Sequence, residues 1–341
     1  MTGNSSIDTS VSSFWHAWLN FRNGKKPTTA IDSFASNLEN NLFRLAIEVN
    51  NHTYKHGGYD RVVISEKKRR DLSVAGVRDR VVHRLMYDYL INIVNPRLDY
   101  DVWSCRPGKG VHAALLRTQS LLRSYPNAYI WRADITKFFD HVRQDVLMEI
   151  IERHIDEPQA IWLCQQIIDS YNVLSKQASK QASKQASKQA SKQASKQGIP
   201  IGNLTSQIFA NMYLNEFDRF VRHELKPFAY LRYGDDFIIF SAAQNQAKDF
   251  RLASQGYLSS RLGLYLHQDN DIIVKSSEGL HFLGHWIYAS SLKIDKPTEQ
   301  RLISRLDTSN VASYKALHLS KHLRKQLPWM LHEDIEKILD D

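Results

Sequence analysis

The stretch from Tyr230 to Ser241 constrains this chain more than any other. It reads as strand, tight turn, strand: Tyr230-Leu231-Arg232 enters, Tyr233-Gly234-Asp235-Asp236 makes the bend, and Phe237-Ile238-Ile239-Phe240 leaves. Four apolar residues in a row suit a strand covered on both faces, so the hairpin belongs in a packed domain with two acids at its tip. Adjacent carboxylates repel, and neither strand is expected to offer a buried cation in compensation. A divalent metal would resolve that cost, because Mg²⁺ takes hard oxygen ligands, usually one or two carboxylates completed by phosphates and waters. A lone Gly-Asp-Asp is more often a solvated turn, so the reading depends on its company.

That company includes a third acid. Tyr129 to Ile135 reads as a mostly buried strand carrying Asp134, about 100 residues upstream of Asp235. Between them, Gly198-Ile199-Pro200-Ile201-Gly202 forms a turn, and Leu204 to Leu225 has the pattern of a long amphipathic helix. Two metals held between such carboxylates can activate a hydroxyl nucleophile, align a phosphate and stabilise a pyrophosphate leaving group.

Elsewhere the pattern alternates. Ile31 to Val49, Val77 to Val94, His112 to Ser124, Gln144 to His154, Ala160 to Val173 and Ala247 to Leu262 have helical periodicity. Arg61 to Ser65 and short runs around Ile272 and Phe282 read as strands, and the last 45 or so residues as helix. The fold class is therefore α+β. At 341 residues and 43% hydrophobic content, the chain can support two or three packed subdomains. Cys105 and Cys164, without a CxxC pair, signal neither a disulfide framework nor a zinc site. No segment has the pattern of a secretory leader or the apolar length of a membrane span, so a soluble, cytoplasmic chain is expected.

The net charge of +9 favours polyanionic partners. Much of it is local, however. Lys176, Lys180, Lys184, Lys188, Lys192 and Lys196 all lie in Ser175 to Gln197, five copies of Ser-Lys-Gln-Ala and a final Ser-Lys-Gln. No packed core requires a period of four, and the tract reads as a tolerated insertion. More informative are Lys67, Lys68, Arg69, Arg70, Arg78 and Arg80 in one short stretch, and Arg106 and Lys109 flanking a Pro-Gly turn.

Taken together, Tyr233-Gly234-Asp235-Asp236, the segment Asp134-Ile135-Thr136-Lys137-Phe138-Phe139, and Gly202-Asn203-Leu204-Thr205-Ser206-Gln207 resemble the palm of reverse transcriptases. Arg61 to His83 resembles that family's fingers hairpin, Cys105 to Gly110 its Arg-Pro-Gly block, and Phe282-Leu283-Gly284-His285 the hairpin that grips the primer. The resemblance covers roughly residues 30 to 290 and implies a right-hand polymerase fold. Its divisions would be an N-terminal segment and fingers over 1–125, a palm over 126–290 interrupted by the 175–197 tract, and a short helical thumb over 291–341. Lys315, Lys321, Arg324 and Lys325 of that thumb would contact phosphates.

The same resemblance assigns roles. Asp134 and Asp235 would bind two Mg²⁺ ions, with Mn²⁺ as a substitute, supported by Asp236 and the carbonyl of Ile135. Lys68 and Arg70 would clamp the incoming deoxynucleoside triphosphate, because charge builds on its phosphate oxygens during transfer. Phe139 would press against the sugar and exclude a 2′-hydroxyl. Arg106, Gly202, Ser206, Tyr233, Leu283 and Gly284 would line template and primer.

Ser206-Gln207, where most bacterial relatives carry Ser-Pro, is most similar to diversity-generating retroelement reverse transcriptases. It implies a template RNA copied into cDNA with errors at adenines, a small basic accessory protein, and Gln207 near the templating base. Retron-like, intron-derived or anti-phage reverse transcriptases are the alternatives, and a catalytically silent RNA-binding scaffold is the reading from another class. In one departure, Leu262-Gly263-Leu264-Tyr265-Leu266 leads to Asn270, where many relatives carry a lysine able to protonate the leaving pyrophosphate. Lys275 and His267 read as surface residues, so the general acid has no assignment.

Overall fold

A computed structural model describes residues 6–65, 69–171 and 196–305. In chain order these form α1 (Val11–Arg22), α2 (Thr29–Ala35), α3 (Leu38–Asn50), β1 (Tyr59–Ser65), β2 (Arg69–Ala75) and α4 (Val77–Val94). Next come α5 (Val111–Ser124), β3 (Tyr129–Ala133), α6 (Phe138–His141), α7 (Gln144–His154) and α8 (Pro158–Asp169). Beyond residue 195 lie α9 (Leu204–Phe220), β4 (Ala229–Tyr233), β5 (Asp236–Ser241) and α10 (Gln244–Tyr257). The described chain ends with β6 (Ile272–Lys275), β7 (Leu280–Phe282), β8 (His285–Ile287), β9 (Leu292–Ile294) and α11 (Lys296–Arg305). The content is α+β, as the sequence patterning requires.

The chain divides into two compact units. One contains Met1–Tyr100, Ile135–Leu225 and Ala253–His267, the other Asp101–Asp134, Lys226–Leu252 and Gln268–Asp341. In the first unit, α9 is buried on nearly every face, with Ile208, Phe209, Met212, Tyr213, Leu214 and Phe217 all sealed from solvent. It packs on α4 and α7. Beside it the antiparallel hairpin β1–β2 pairs from Tyr59↔Ala75 to Ser65↔Arg69.

Asn203 fixes the start of α9 against this hairpin. Its buried side chain accepts from the Ala75 amide at 3.0 Å and donates to the Ser73 carbonyl at 2.6 Å and the Pro200 carbonyl at 3.3 Å. A second tie comes from α4, where fully buried His83 places Nδ1 3.0 Å from Thr205 Oγ1 and Nε2 2.9 Å from His56 Nε2. Burial, reinforced by His56 and Arg80, lowers the His83 imidazole to about 3, so the ring is neutral at physiological pH.

The second unit is built on a four-stranded antiparallel sheet of order β4-β5-β3-β6. Phe237, Ile238, Ile239 and Phe240 of β5 are completely buried, as expected of an apolar run in a central strand. The backbone of Asp101 to Trp103 covers the outer edge of β4: Arg232 donates to the Asp101 carbonyl and accepts from the Trp103 amide, each at 2.9 Å. A separate meander, β7-β8-β9, buries Leu280, Phe282 and Ile287 in the same core as Ile130, Leu231 and Ile238.

Three expected elements differ. The helical spacing from Ile31 to Val49 is divided between α2 and α3, because Ser36 and Asn37 break the run and Asn41 caps the Phe34 carbonyl at 2.9 Å. The helix expected to Leu225 loosens at Val221–Leu225 into a π-turn, and that expected to Val173 ends at Asp169. Strand β9 was not anticipated, and β8 was anticipated only as the far side of the Phe282–His285 hairpin. Both described cysteines are free, and no described helix is long and apolar enough to cross a membrane. Residues 172–195, which hold all but the last two residues of the 175–197 repeat, and residues 306–341 of the expected thumb, with Lys315, Lys321, Arg324 and Lys325, lie outside the described residues.

Asn203→Ala removes a buried partner from the Ala75 amide and from the Ser73 and Pro200 carbonyls. Urea denaturation is expected to show a loss of about 2–3 kcal/mol with an unchanged m-value.

Candidate active site

Strand register brings two of the acids together. β3 and β5 pair through Ala133↔Phe237, which sets Asp134 opposite Asp236 one step further along. Tyr233 pairs with Asp236, so the turn proper is only Gly234-Asp235, and Asp236 is the first residue of β5. Gly234 has φ +68, a conformation in which a Cβ is strained and which suits a two-residue hairpin loop. The turn is pinned from two sides. Ser104 Oγ accepts from the Gly234 amide at 2.8 Å, and Arg232 Nη1 donates to the Gly234 carbonyl at 2.9 Å.

The expectation that no buried cation attends the acids is overturned. Arg232 on β4 is fully buried, and Arg132 on β3, with 12% of its side chain exposed, pairs with Asp236 at 3.3 Å. The same guanidinium donates to the His281 carbonyl at 2.7 Å, and His281 Nε2 lies 2.9 Å from buried Asp295. Asn270 Nδ2 donates to Asp134 Oδ2 at 3.1 Å. Arg132, Asn270 and His281 therefore belong to the site although the sequence reading did not select them. Signals existed for two: Arg132 and Asp134 are two apart in an extended run and so share a face, and Asn270 stands at the position marked by the missing lysine.

Despite Arg132, burial pushes the Asp236 carboxyl above the usual carboxylate range. Arg132 pulls it back, the charge on Asp134 pushes it up further, and His281 opposes weakly. Desolvation and repulsion outweigh the single ion pair. Among the described residues no group of three Asp, Glu, His or Cys side chains forms a ready-made metal cage. What the site offers is a strained carboxylate pair, a hard oxygen donor set that fits a divalent cation whose other ligands are phosphates and waters.

The remaining candidates are distributed between the units. Tyr233, Leu283, Gly284 and Arg106 lie in the same unit as the three acids. Leu283 and Gly284 form the β7–β8 turn, both at positive φ, and a Cβ at Gly284 would meet Thr298 Oγ1 at 2.7 Å. Arg106 Nη1 donates to the Val102 carbonyl at 3.0 Å. Ile135, Phe139, Gly202, Ser206 and Gln207 belong to the first unit. There Phe138 is the core residue, whereas Phe139 is half-buried with its ring edge-on to Phe138 at 5.2 Å. Gly202, at φ +108, sits against Leu72 and Val74 of β2. Gln207 is exposed on the first turn of α9, while Ser206 is buried with no partner for its hydroxyl among the described residues. Lys68 and the side chain of Arg70 lie outside the described residues.

Residues 54–287 match the family described as reverse transcriptase (RNA-dependent DNA polymerase). The chain belongs to that family, the class of RNA-directed DNA polymerases, which are nucleotidyltransferases. Among curated relatives it is 24% identical over 290 residues to Protein YkfC of Escherichia coli K12, covering 74% of this chain and 71% of the relative. It is 21% identical over 301 residues to a putative COX1/OXI3 intron 2 protein of Saccharomyces cerevisiae, covering 72% of this chain but only 34% of that protein.

Among solved structures it resembles apo telomerase from Candida tropicalis (TM-score 0.51, 15% identity) and Candida albicans telomerase with a telomeric RNA fragment (TM-score 0.52, 11% identity). Each match covers 84% of this chain and just over half of the telomerase, 56% and 55%. The right-hand polymerase fold is thus borne out.

Because the Asp236 carboxyl is raised in the folded state, its ionisation costs stability above the unfolded carboxylate range and costs nothing below it. Asp236→Asn is therefore expected to raise the Tm at pH 7 in metal-free buffer, with the gain vanishing as pH falls through the carboxylate range. Adding Mg²⁺ should stabilise the wild type and leave Asp236→Asn unmoved, as differential scanning fluorimetry can read.

Proposed function

We propose that this chain synthesises cDNA on a template RNA, with Asp134, Asp235 and Asp236 as its catalytic carboxylates. The observation that carries the reading is the Asp134/Asp236 pair, Asp236 opening β5 and Asp134 directly following the neighbouring strand β3, in a chain of the reverse transcriptase family. Bound between these carboxylates, two Mg²⁺ ions, replaceable by Mn²⁺, would supply Lewis acidity for attack of a primer 3′-hydroxyl on the α-phosphate. The chain's own groups set the stage. Asn270 orients Asp134 through its amide, and Arg132 limits the rotamers of Asp236. Ile135 would add its carbonyl to the metal ligands.

Lys68 and Arg70 would neutralise the triphosphate, with Phe139 against the sugar. The half-exposed ring of Phe139 supports that assignment, since Phe138 already fills the core position. Template and primer would run past Arg106, Gly202, Ser206, Tyr233, Leu283 and Gly284.

At the finer level we read the enzyme as error-prone at template adenines, as in diversity-generating retroelements. Exposed Gln207 beside buried Ser206, whose hydroxyl has no partner among the described residues, supports this, because pocket tightness sets pairing selectivity. An intron-derived enzyme is the second reading, favoured by relatives described as intron proteins.

Primer extension on an RNA template with Mg²⁺ tests both levels. Asp235→Ala and Asp236→Ala should each lose about a thousandfold or more in rate, and wild-type rates in either would refute the assignment. Sequenced products should carry substitutions opposite adenines; faithful copying there would favour the intron-derived reading. Phe139→Ala should raise ribonucleotide incorporation, and an unchanged sugar preference would remove Phe139 from the site.

A further inference from the structure

A line of polar contacts leads from the start of α11 to the acids. Asp295, buried between β9 and α11, caps that helix by accepting from the Thr298 amide at 2.8 Å through Oδ1. Its Oδ2 lies 2.9 Å from Nε2 of His281 on β7. An ionised carboxylate only accepts, so His281 carries a proton on Nε2, and the contact fixes the plane of the ring. The exposed Trp286, opposite on β8, packs on the same ring with centroids 5.2 Å apart. A main-chain tie runs alongside, the Asp295 amide donating to the Gly284 carbonyl at 3.0 Å.

The line continues through the backbone of His281. Its carbonyl accepts from Arg132 Nη1 at 2.7 Å, while Nη2 of the same guanidinium meets Asp236 Oδ1 at 3.3 Å. The two nitrogens of one planar fork are thus committed to two different acceptors. The side chain of Asp236 could otherwise turn away from Asp134, whose charge repels it, so the place of the Arg132 cation decides where Oδ1 rests. That place depends in turn on a carbonyl of β7, a three-residue edge strand paired to β8 alone in its sheet. So short an edge frays unless something else holds it, and the Asp295–His281 contact supplies the hold.

We propose that Asp295 and His281 are positioning residues for the Asp236 carboxylate: they keep β7 where its carbonyl captures Arg132, and Arg132 then sets the Asp236 rotamer that receives a divalent cation. The inference rests on the polymerase reading and adds to it residues that need touch neither substrate nor metal. It also explains why the cation is an arginine. A lysine carries the same charge but has one nitrogen, which cannot span both acceptors in a fixed geometry.

The test uses the full chain with a DNA primer annealed to an RNA template. Mn²⁺ binding is read by electron paramagnetic resonance, beside kcat and the KM for deoxynucleotide. Arg132→Lys keeps the charge and removes the fork; it should weaken Mn²⁺ binding and lower kcat about tenfold each, with the KM for the nucleotide unchanged. His281→Ala should weaken Mn²⁺ binding about threefold, the worth of one loosened hydrogen bond, and His281→Gln, whose amide can still donate to Asp295, should restore it. Adding Asp295→Ser, which keeps a hydroxyl to cap α11, to His281→Ala should cost little more at the metal, because both cut the same link.

Wild-type Mn²⁺ binding and extension by Arg132→Lys and His281→Ala overturn the positioning role and leave the polymerase reading intact. A loss in His281→Ala that His281→Gln does not restore, or losses matched by a fall in Tm, mark general damage to the fold and overturn it as well. A wild type that binds no Mn²⁺ and extends no primer overturns both readings.

Discussion

Two carboxylates at the adjoining ends of neighbouring antiparallel strands repel one another, and the second unit is organised around holding them there. Burial sharpens that repulsion, because charges taken out of water are screened less. The β3–β5 ladder enforces the approach, since its strands are locked by wholly buried side chains on both faces. Arg132 offsets part of the repulsion, yet the Asp236 carboxyl remains raised. The balance leaves a raised Asp236 beside Asp134, a pair of hard oxygen donors of the kind that suits a divalent cation.

Rigidity around that pair comes from groups remote from it in sequence. Ser104, in the Arg-Pro-Gly loop, and Arg232, in the depth of β4, grip opposite polar groups of Gly234. The turn that carries Asp235 therefore cannot flex without breaking two buried or half-buried hydrogen bonds. In the other unit, Asn203 and the His83–Thr205 contact do the same for the first turn of α9, presenting Gln207 to solvent and Ser206 to the interior. Positioning by buried polar contacts, rather than by apolar packing alone, is common to both units.

Much of this was legible in the sequence because it depends on local pattern. The apolar run Phe237 to Phe240 could only be a covered strand, Gly234 could only mark a tight turn, and the periodicity of Val77 to Val94 reproduced α4 residue for residue. A short element escaped: the three residues of β9 carry too little periodicity to distinguish strand from loop. The break between α2 and α3 was hidden because apolar spacing continues through Ser36 and Asn37 even though the backbone does not.

By itself the sequence determined the α+β class, the acids at a hairpin tip and their family kinship, since residue types at fixed spacing express these directly. Only the tertiary structure decided what surrounds the acids. Arg132 meets Asp236 from 104 residues away, Asn270 meets Asp134 from 136, and Trp286 is left outward by a register that no local pattern encodes. Charge compensation is a property of distance in space, and strand register alone converts sequence separation into that distance.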